Sequence, residues 1–352
     1  MMSTLLKKSA HPKNRLSTFA ALAGSIGIVA LTLAGCSAGG GNSADSAGAS
    51  DGSATGVKVV VMGGAPDDPF WSTVKRGAES AAKAVEAAGG SVEFVSMPNY
   101  NNFNADAAKL VSNMQAMNAS AVVIPNWSPD AQNENIKAIS SSGVPVILYN
   151  SGQDSVKDVD ARIYIGSDDK LAGVAGGEEL AKAGAKNILC VNTLPGTTNA
   201  EARCEGVIEG AGKNGSTATA LNLPSSQFGD PSAITQAIKG GIIADSSIDG
   251  IITIGTKDAD SAAAGIQQSG NAKVKLGTFD VSQASLDRIK GGTQVFSIDQ
   301  QPFAQGYYAV SNAFQLAAYG IYLPQSPLLT GPAIIDSANV DLAISGTAAG
   351  VR

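Results

Sequence analysis

Val57-Lys58-Val59-Val60-Val61-Met62-Gly63-Gly64-Ala65-Pro66-Asp67-Asp68-Pro69-Phe70-Trp71 is the stretch that decides the fold. Its first six residues are a continuous run rich in β-branched side chains, as expected of a strand covered on both faces. Gly63-Gly64-Ala65-Pro66 then breaks the run. From Trp71 to Ala88 the period becomes helical. Val74, Ala78, Ala81, Ala82 and Val85 form one apolar stripe, with Lys75, Glu79, Lys83 and Glu86 facing out. Strand, breaker and helix together are one unit of a parallel α/β sheet.

The unit recurs down the chain. Residues 92–97, 121–125, 144–150, 162–166, 187–192, 217–223, 251–255, 273–280 and 295–299 read as further strands. Helices are predicted over 104–117, 129–142, 170–183, 199–214, 231–244, 259–269, 283–290 and 305–319. Strict alternation implies parallel sheets with right-handed crossovers. Some ten strands overfill one open sheet with a single core. The expected fold is therefore α/β, with two doubly wound parallel-sheet lobes.

In such sheets ligands sit beyond the carboxyl ends of the strands. Here those ends are polar: Asp67-Asp68-Pro69-Phe70-Trp71, Asn126-Trp127-Ser128, Tyr149-Asn150-Ser151, Thr256-Lys257-Asp258, Phe279-Asp280 and Asp299-Gln300-Gln301. Carboxylates and amides hydrogen-bond neighbouring hydroxyls, and aromatic rings cover C–H faces. Phosphate binding would want a glycine-rich loop opening a helix. Neither G-x-G-x-x-G nor G-x-x-x-x-G-K-[ST] occurs in context. Plainer roles stand beside these. Asp68 and Asp280 suit helix caps, Lys257 a surface pair, Trp127 a cover over the lobe edge, and Tyr307-Tyr308 the core of a helix.

The amino-terminal residues speak to compartment. Lys7, Lys8, Lys13 and Arg15 precede an apolar stretch from about Phe19 to Leu33, too short and too rich in small residues for a membrane span. Leu33-Ala34-Gly35-Cys36 resembles the bacterial lipobox, whose cysteine becomes the lipidated first residue of the mature chain. Residues 1–35 are thus expected to be a lipoprotein signal peptide and Cys36 a lipid anchor, the only membrane attachment. Residues 36–56 lack large apolar side chains and are expected to be a flexible tether.

Charge and composition narrow the chemistry. The chain has 24 basic and 30 acidic residues; without the four leader cations the balance is about −10, which disfavours nucleic acid. The only histidine, His11, lies in the leader, so histidine-based nucleophilic or zinc chemistry is excluded from the folded part. Carboxylate chemistry is not. Cys190 and Cys204 either pair as a disulfide, which export allows, or lie as two buried thiols. No metal site and no cofactor is expected.

The chain from about Val57 to Asp336 resembles the ribose-type members of the type I periplasmic (solute) binding proteins of ABC transporters. The resemblance rests on Asp68-Pro69-Phe70-Trp71, Gly166-Ser167-Asp168, Gly196-Thr197 through Arg203-Cys204-Glu205-Gly206, Gly277-Thr278-Phe279-Asp280 and Asp299-Gln300-Gln301-Pro302, in the family's order. It implies a three-stranded hinge, with crossings near Ser167, Gln300 and Thr330. The lobes would comprise 57–167 plus 301–330 and 168–300 plus 331–352. It also implies site residues. Asp68, Asp280, Asn126 and Gln300 would hydrogen-bond ligand hydroxyls, Phe70, Trp71 and Phe228 would sandwich the ligand, and Thr256 or Lys257 would supply a polar loop contact. The partner would be an ABC transporter permease, with the binding protein a monomer and not an enzyme.

Two departures matter. Asn150-Ser151 stands where ribose binders carry Asp-Arg, and Glu201 where they carry an arginine, while Arg203 matches a second arginine that braces the helix. Losing two guanidiniums removes rigid donor forks, and Asp68 and Glu201 add acceptors. The resemblance so modified favours a four- or five-carbon sugar alcohol such as xylitol or threitol, with a pentose such as ribose as the alternative. Two other classes remain: a ligand-sensing lipoprotein, and a carboxylate glycosidase using Asp68, Glu201 or Asp280.

Overall fold

The computed structural model describes residues 54–352. The expected signal peptide, the expected lipid anchor Cys36 and the expected tether up to residue 53 lie outside the described residues. Ala54 is already buried in the first-lobe core, and the Gly56 amide donates to the Gly89 carbonyl, so packing begins just ahead of the predicted first strand. No described helix is long and apolar enough to cross a membrane.

Two six-stranded sheets organise the described residues. The first has the order β11-β5-β4-β3-β1-β2, from β1 (Lys58–Gly63), β2 (Ser91–Ser96), β3 (Ala121–Ile124), β4 (Val146–Tyr149), β5 (Tyr164–Ser167) and β11 (Leu328–Gly331). The second has the order β12-β10-β9-β8-β6-β7, from β6 (Asn187–Asn192), β7 (Thr217–Asn222), β8 (Gly250–Thr253), β9 (Lys275–Phe279), β10 (Phe296–Asp299) and β12 (Ala333–Ile335). Helices α1 (Pro69–Ala87), α2 (Phe103–Met114), α3 (Pro129–Ser141) and α9 (Pro302–Tyr319) belong with the first sheet. Helices α4 (Asp169–Lys182), α5 (Thr198–Lys213), α6 (Pro231–Ala244), α7 (Thr256–Ser269), α8 (Gln283–Lys290) and α10 (Val340–Ala348) belong with the second. The chain is thus an α/β protein of two doubly wound lobes.

Strand periodicity of two explains the second lobe's core. Cys190 and Ile252 point to the α4–α5 side, while Leu189, Val191 and Ile251 point to the α6–α7 side. The reading of ten strands missed β11, β12 and α10, which are short and lack a long apolar run. It also missed one antiparallel pair, β10 with β12. The cause is the hinge: β10 runs into it, α9 and β11 return the chain to it, and β12 runs out of it along β10. The chain passes between sheets after Ser167, after Asp299 and at Pro332. Gln300 ties two of these passages together, its carbonyl accepting from Thr330 Oγ1 at 2.8 Å and from Gln305 Nε2 at 3.1 Å.

Helices α4 and α5 lie backbone to backbone. A Cβ on Gly173 would run into the Arg203 carbonyl, and one on Gly206 into the Lys170 carbonyl. This approach sets where α5 delivers its first turns. Gly173→Ala should therefore destabilise the protein by about 1–3 kcal/mol, the usual cost of overpacking. Denaturant unfolding checks this; an unchanged midpoint would mean the two helices separate without cost.

Candidate functional site

The carboxyl ends of both sheets face one cavity, with a volume of about 80 Å³. Asp68, Phe70 and Trp71 enter it from the turn between β1 and α1. Asp68 is both cap and cavity wall. Its Oδ1 accepts from the Phe70 amide at 3.0 Å, which starts α1 at Pro69, and its Oδ2 accepts from the Tyr100 hydroxyl at 2.9 Å. The Tyr100 hydroxyl in turn accepts from the Ala65 amide at 3.0 Å. Gly64 has no Cβ for a steric reason: one there would collide with the Trp71 indole and the Tyr100 hydroxyl.

Aromatic rings line the first-lobe wall. Trp71 meets Phe70 at 5.2 Å and Trp127 at 5.5 Å between ring centroids, and Trp127 meets Phe103 at 5.1 Å, all edge to face. Trp127 is oriented by Asn150, whose Oδ1 accepts from its indole Nε1 at 3.2 Å. Asn150 holds a left-handed backbone (φ 61°), which asparagine tolerates better than most residues. Across the cleft, Phe228 packs edge to face on Tyr100 at 4.8 Å.

The second lobe supplies most of the charge. Arg203 lies 4.6 Å over the Phe279 ring, with Nε donating to Asp169 Oδ1 at 2.8 Å and Nη1 to the Ile254 carbonyl at 2.9 Å. It braces α5 while lining the cavity. A disulfide joins Cys204, beside it, to Cys190 on β6, with the Cα atoms 5.6 Å apart. Asp258 in the first turn of α7 is 1% exposed, its Oδ2 accepting from Thr193 Oγ1 at 2.7 Å. Asp280 at the end of β9 has a left-handed backbone (φ 65°), and its Oδ1 accepts from Gln300 Nε2 at 2.5 Å. Thr256 and Lys257 complete this wall; the Lys257 ammonium reaches across the cleft to the Asp67 carbonyl at 3.2 Å.

Burial governs the acids. It pushes Asp258 up to about 7 against the opposing hydrogen bond from Thr193. It pushes Asp280 up to about 7 against Arg203 and Gln300. It also raises Asp68, against donors Tyr100 and Phe70. Three oxygens on cavity-lining residues are buried without a hydrogen-bond partner: Asp258 Oδ1, Gln300 Oε1 and Asn199 Oδ1. All three are acceptors.

Ten of the twelve candidate site residues line this cavity: Asp68, Phe70, Trp71, Asn150, Arg203, Phe228, Thr256, Lys257, Asp280 and Gln300. Two do not. Asn126 is fully buried behind the wall, its Nδ2 donating to Asn133 Oδ1 at 2.7 Å. Glu201 turns away to hold the loop before α5, its Oε1 accepting from the Gly196 amide at 2.8 Å and Asn192 Nδ2 at 3.2 Å. Glu201 therefore does not line the cavity, whereas Asp258 does. Tyr100, Phe103, Asn199 and Asp258 went unassigned. Tyr100 and Phe103 follow β2, so the strand-end rule that found the others reaches them too. Leu194 and Ile254 carry no polar signal that would single them out.

The sequence matches the periplasmic binding protein domain over residues 59–320, and the chain belongs to that family. Solved structures agree with this placement. The structure of a carbohydrate transporter from Acidothermus cellulolyticus 11B in complex with myo-inositol is 26% identical, with a TM-score of 0.77 over 84% of this chain and 100% of that one. A solute-binding protein from Burkholderia graminis C4D1M in complex with D-arabinose is 20% identical, with a TM-score of 0.70 over 81% and 97%. GanP, a glucose-galactose binding protein from Geobacillus stearothermophilus, is 18% identical, with a TM-score of 0.70 over 81% and 98%. No curated protein sequence matches the chain.

The raised carboxyls carry a sign. In the unfolded chain they titrate near 4, in the folded one Asp258 and Asp280 near 7. The native state holds their protons more tightly, so their contribution is fully present at acid pH and is lost as pH rises through about 7. The melting temperature without added ligand should therefore fall from pH 5 to pH 8. An Asp258→Asn/Asp280→Asn double variant should flatten that fall. An equal slope in the variant would mean the two acids ionise as freely as exposed ones.

Proposed function

We propose that this protein is the extracytoplasmic, substrate-binding lipoprotein of an ABC transporter, anchored through Cys36. It captures a small neutral polyol by closing its lobes and presents it to a permease. The supporting observation is the set of unpartnered buried acceptors, Asp258 Oδ1, Gln300 Oε1 and Asn199 Oδ1, facing an aromatic wall. A buried acceptor without a donor costs about 1–3 kcal/mol, and a ligand rich in hydroxyl donors removes that cost. The rings of Trp71, Trp127 and Phe228 suit the C–H faces of such a molecule.

The preferred ligand is a four- or five-carbon sugar alcohol such as xylitol or threitol. The absence of the two guanidinium forks favours it over a pentose ring, whose ring oxygen needs donors. The similar proteins solved with myo-inositol and D-arabinose support a hydroxyl-rich ligand generally. A pentose is the second reading, favoured by the Arg203 guanidinium, whose Nε and Nη1 are bonded to protein while its Nη2 makes no hydrogen bond among the described residues.

Titration calorimetry over xylitol, threitol, ribitol, ribose and xylose tests the assignment, with heat expected from a polyol. Tight pentose binding with no polyol heat would overturn the sugar-alcohol reading. Asp280→Ala should weaken the best ligand by about 2 kcal/mol or more, since the hydroxyls it served become buried and unpaired. Unaltered affinity would remove Asp280 from the site. Aryl glycosides should release no chromophore; sustained turnover would favour a carboxylate glycosidase instead.

A further inference from the structure

The cleft holds three carboxylates that no cation pairs. Asp68, Asp258 and Asp280 take part in none of the ion pairs among the described residues. The two cations of the wall are engaged with other acids. Arg203 pairs with buried Asp169 at 2.8 Å, and Lys257 lies 3.8 Å from Asp67 Oδ2 at the rim. Lys257 acts on Asp68 and Asp258, and Arg203 on Asp280, only through space.

The acids are built into the site. Asp258 and Gln300 are each 1% exposed, and each keeps one oxygen without a partner. The acids do not converge as metal ligands do: no group of three potential metal ligands comes together among the described residues. Carboxylates spread around a cavity of aromatic faces suit an organic cation better than a metal ion, because ring faces attract a nearby positive charge.

We propose that, beside the neutral polyol, the cleft also takes a cationic aminopolyol, the amine counterpart of the same polyol, and holds it more tightly because its ammonium lodges among Asp68, Asp258 and Asp280. This rests on the reading of the cleft as a polyol site and names the charge of what enters it. An ammonium brings three N–H donors and no acceptor, so it makes no demand on the donors of the wall, whereas each hydroxyl also brings lone pairs that do. Its hydrogen bonds to carboxylates are charge-assisted and roughly twice as strong as neutral ones. The charge also offsets the burial of the acids, which a neutral guest leaves in place.

Matched pairs test it: xylitol against 1-amino-1-deoxyxylitol, and threitol against 1-amino-1-deoxythreitol, titrated into the folded protein by calorimetry at pH 7.5. In at least one pair the amine should bind about tenfold tighter or more, the gain expected when a neutral hydrogen bond becomes a charge-assisted one. That advantage should shrink in Asp258→Asn and in Asp280→Asn, each checked for a native melting transition. The wild-type pairs decide the matter even if a variant fails to fold. Polyols that bind while their amines bind no tighter would overturn this inference and leave the polyol reading standing. If neither member of any pair binds, both fall together. An amine advantage undiminished in both folded variants would place the ammonium elsewhere and also overturn it.

Discussion

Parallel strands of one sheet all finish at the same edge, and that constraint underlies the rest of this structure. Each strand must be followed by a helix that returns the chain to the opposite edge. The turns between strand and helix therefore gather on one side, free of the ladder's demands. In this protein two such edges meet. Asp68, Tyr100, Trp127 and Asn150 come from turns of the first lobe, Phe228 and Asp280 from turns of the second, and Arg203 and Asp258 from the opening turns of α5 and α7. None of these residues is near its cross-cleft neighbours in sequence. The sheets bring them together.

The lobes touch around the cavity through a few polar contacts. The Thr198 amide donates to the Trp127 carbonyl at 2.9 Å, and the Thr198 and Ser151 hydroxyls share a hydrogen bond of 2.9 Å. Lys257 with Asp67 and Phe228 with Tyr100 make further contacts. These interactions are small in area and partly exposed, so each is worth little alone. A hinge closed by such contacts is poised for a ligand that touches both walls, because differential contact with the closed state is what shifts a population. The passages at Ser167, Gln300 and Pro332 join the halves, and Gln300 itself sits in the cavity wall.

Rigidity of the second wall comes from α5. Its glycines press it against α4, the Cys190–Cys204 bond ties it to β6, and the Arg203–Asp169 pair sits 4–9% exposed beneath the cavity. A buried pair of this kind adds little net stability over an apolar alternative, but removing one partner is costly. It holds a guanidinium in place, with two nitrogens spent on the scaffold and one free.

The sequence by itself determined the alternation of strands and helices, the division into two lobes, and most of the wall. Local periodicity encodes those elements, and the strand-end rule converts them into a site. It also picked out Asp280, Gln300 and the Asp68 turn, because they stand at the carboxyl ends of strands, where a parallel sheet gathers its loops. What only the tertiary structure decided is orientation. Asn126 follows β3 and Glu201 lies in the first turn of α5, yet neither side chain enters the cavity: Asn126 donates to Asn133 and Glu201 accepts from Gly196 and Asn192, because a polar group beside a complementary partner bonds to it before it reaches a cavity. The short β11, β12 and α10 were illegible because the hinge and the neighbouring strands, not their own pattern, hold them in place. Whether Asp258 caps a helix or faces a ligand depends on which side of α7 meets the opposite lobe, a distance that no local stretch of residues specifies.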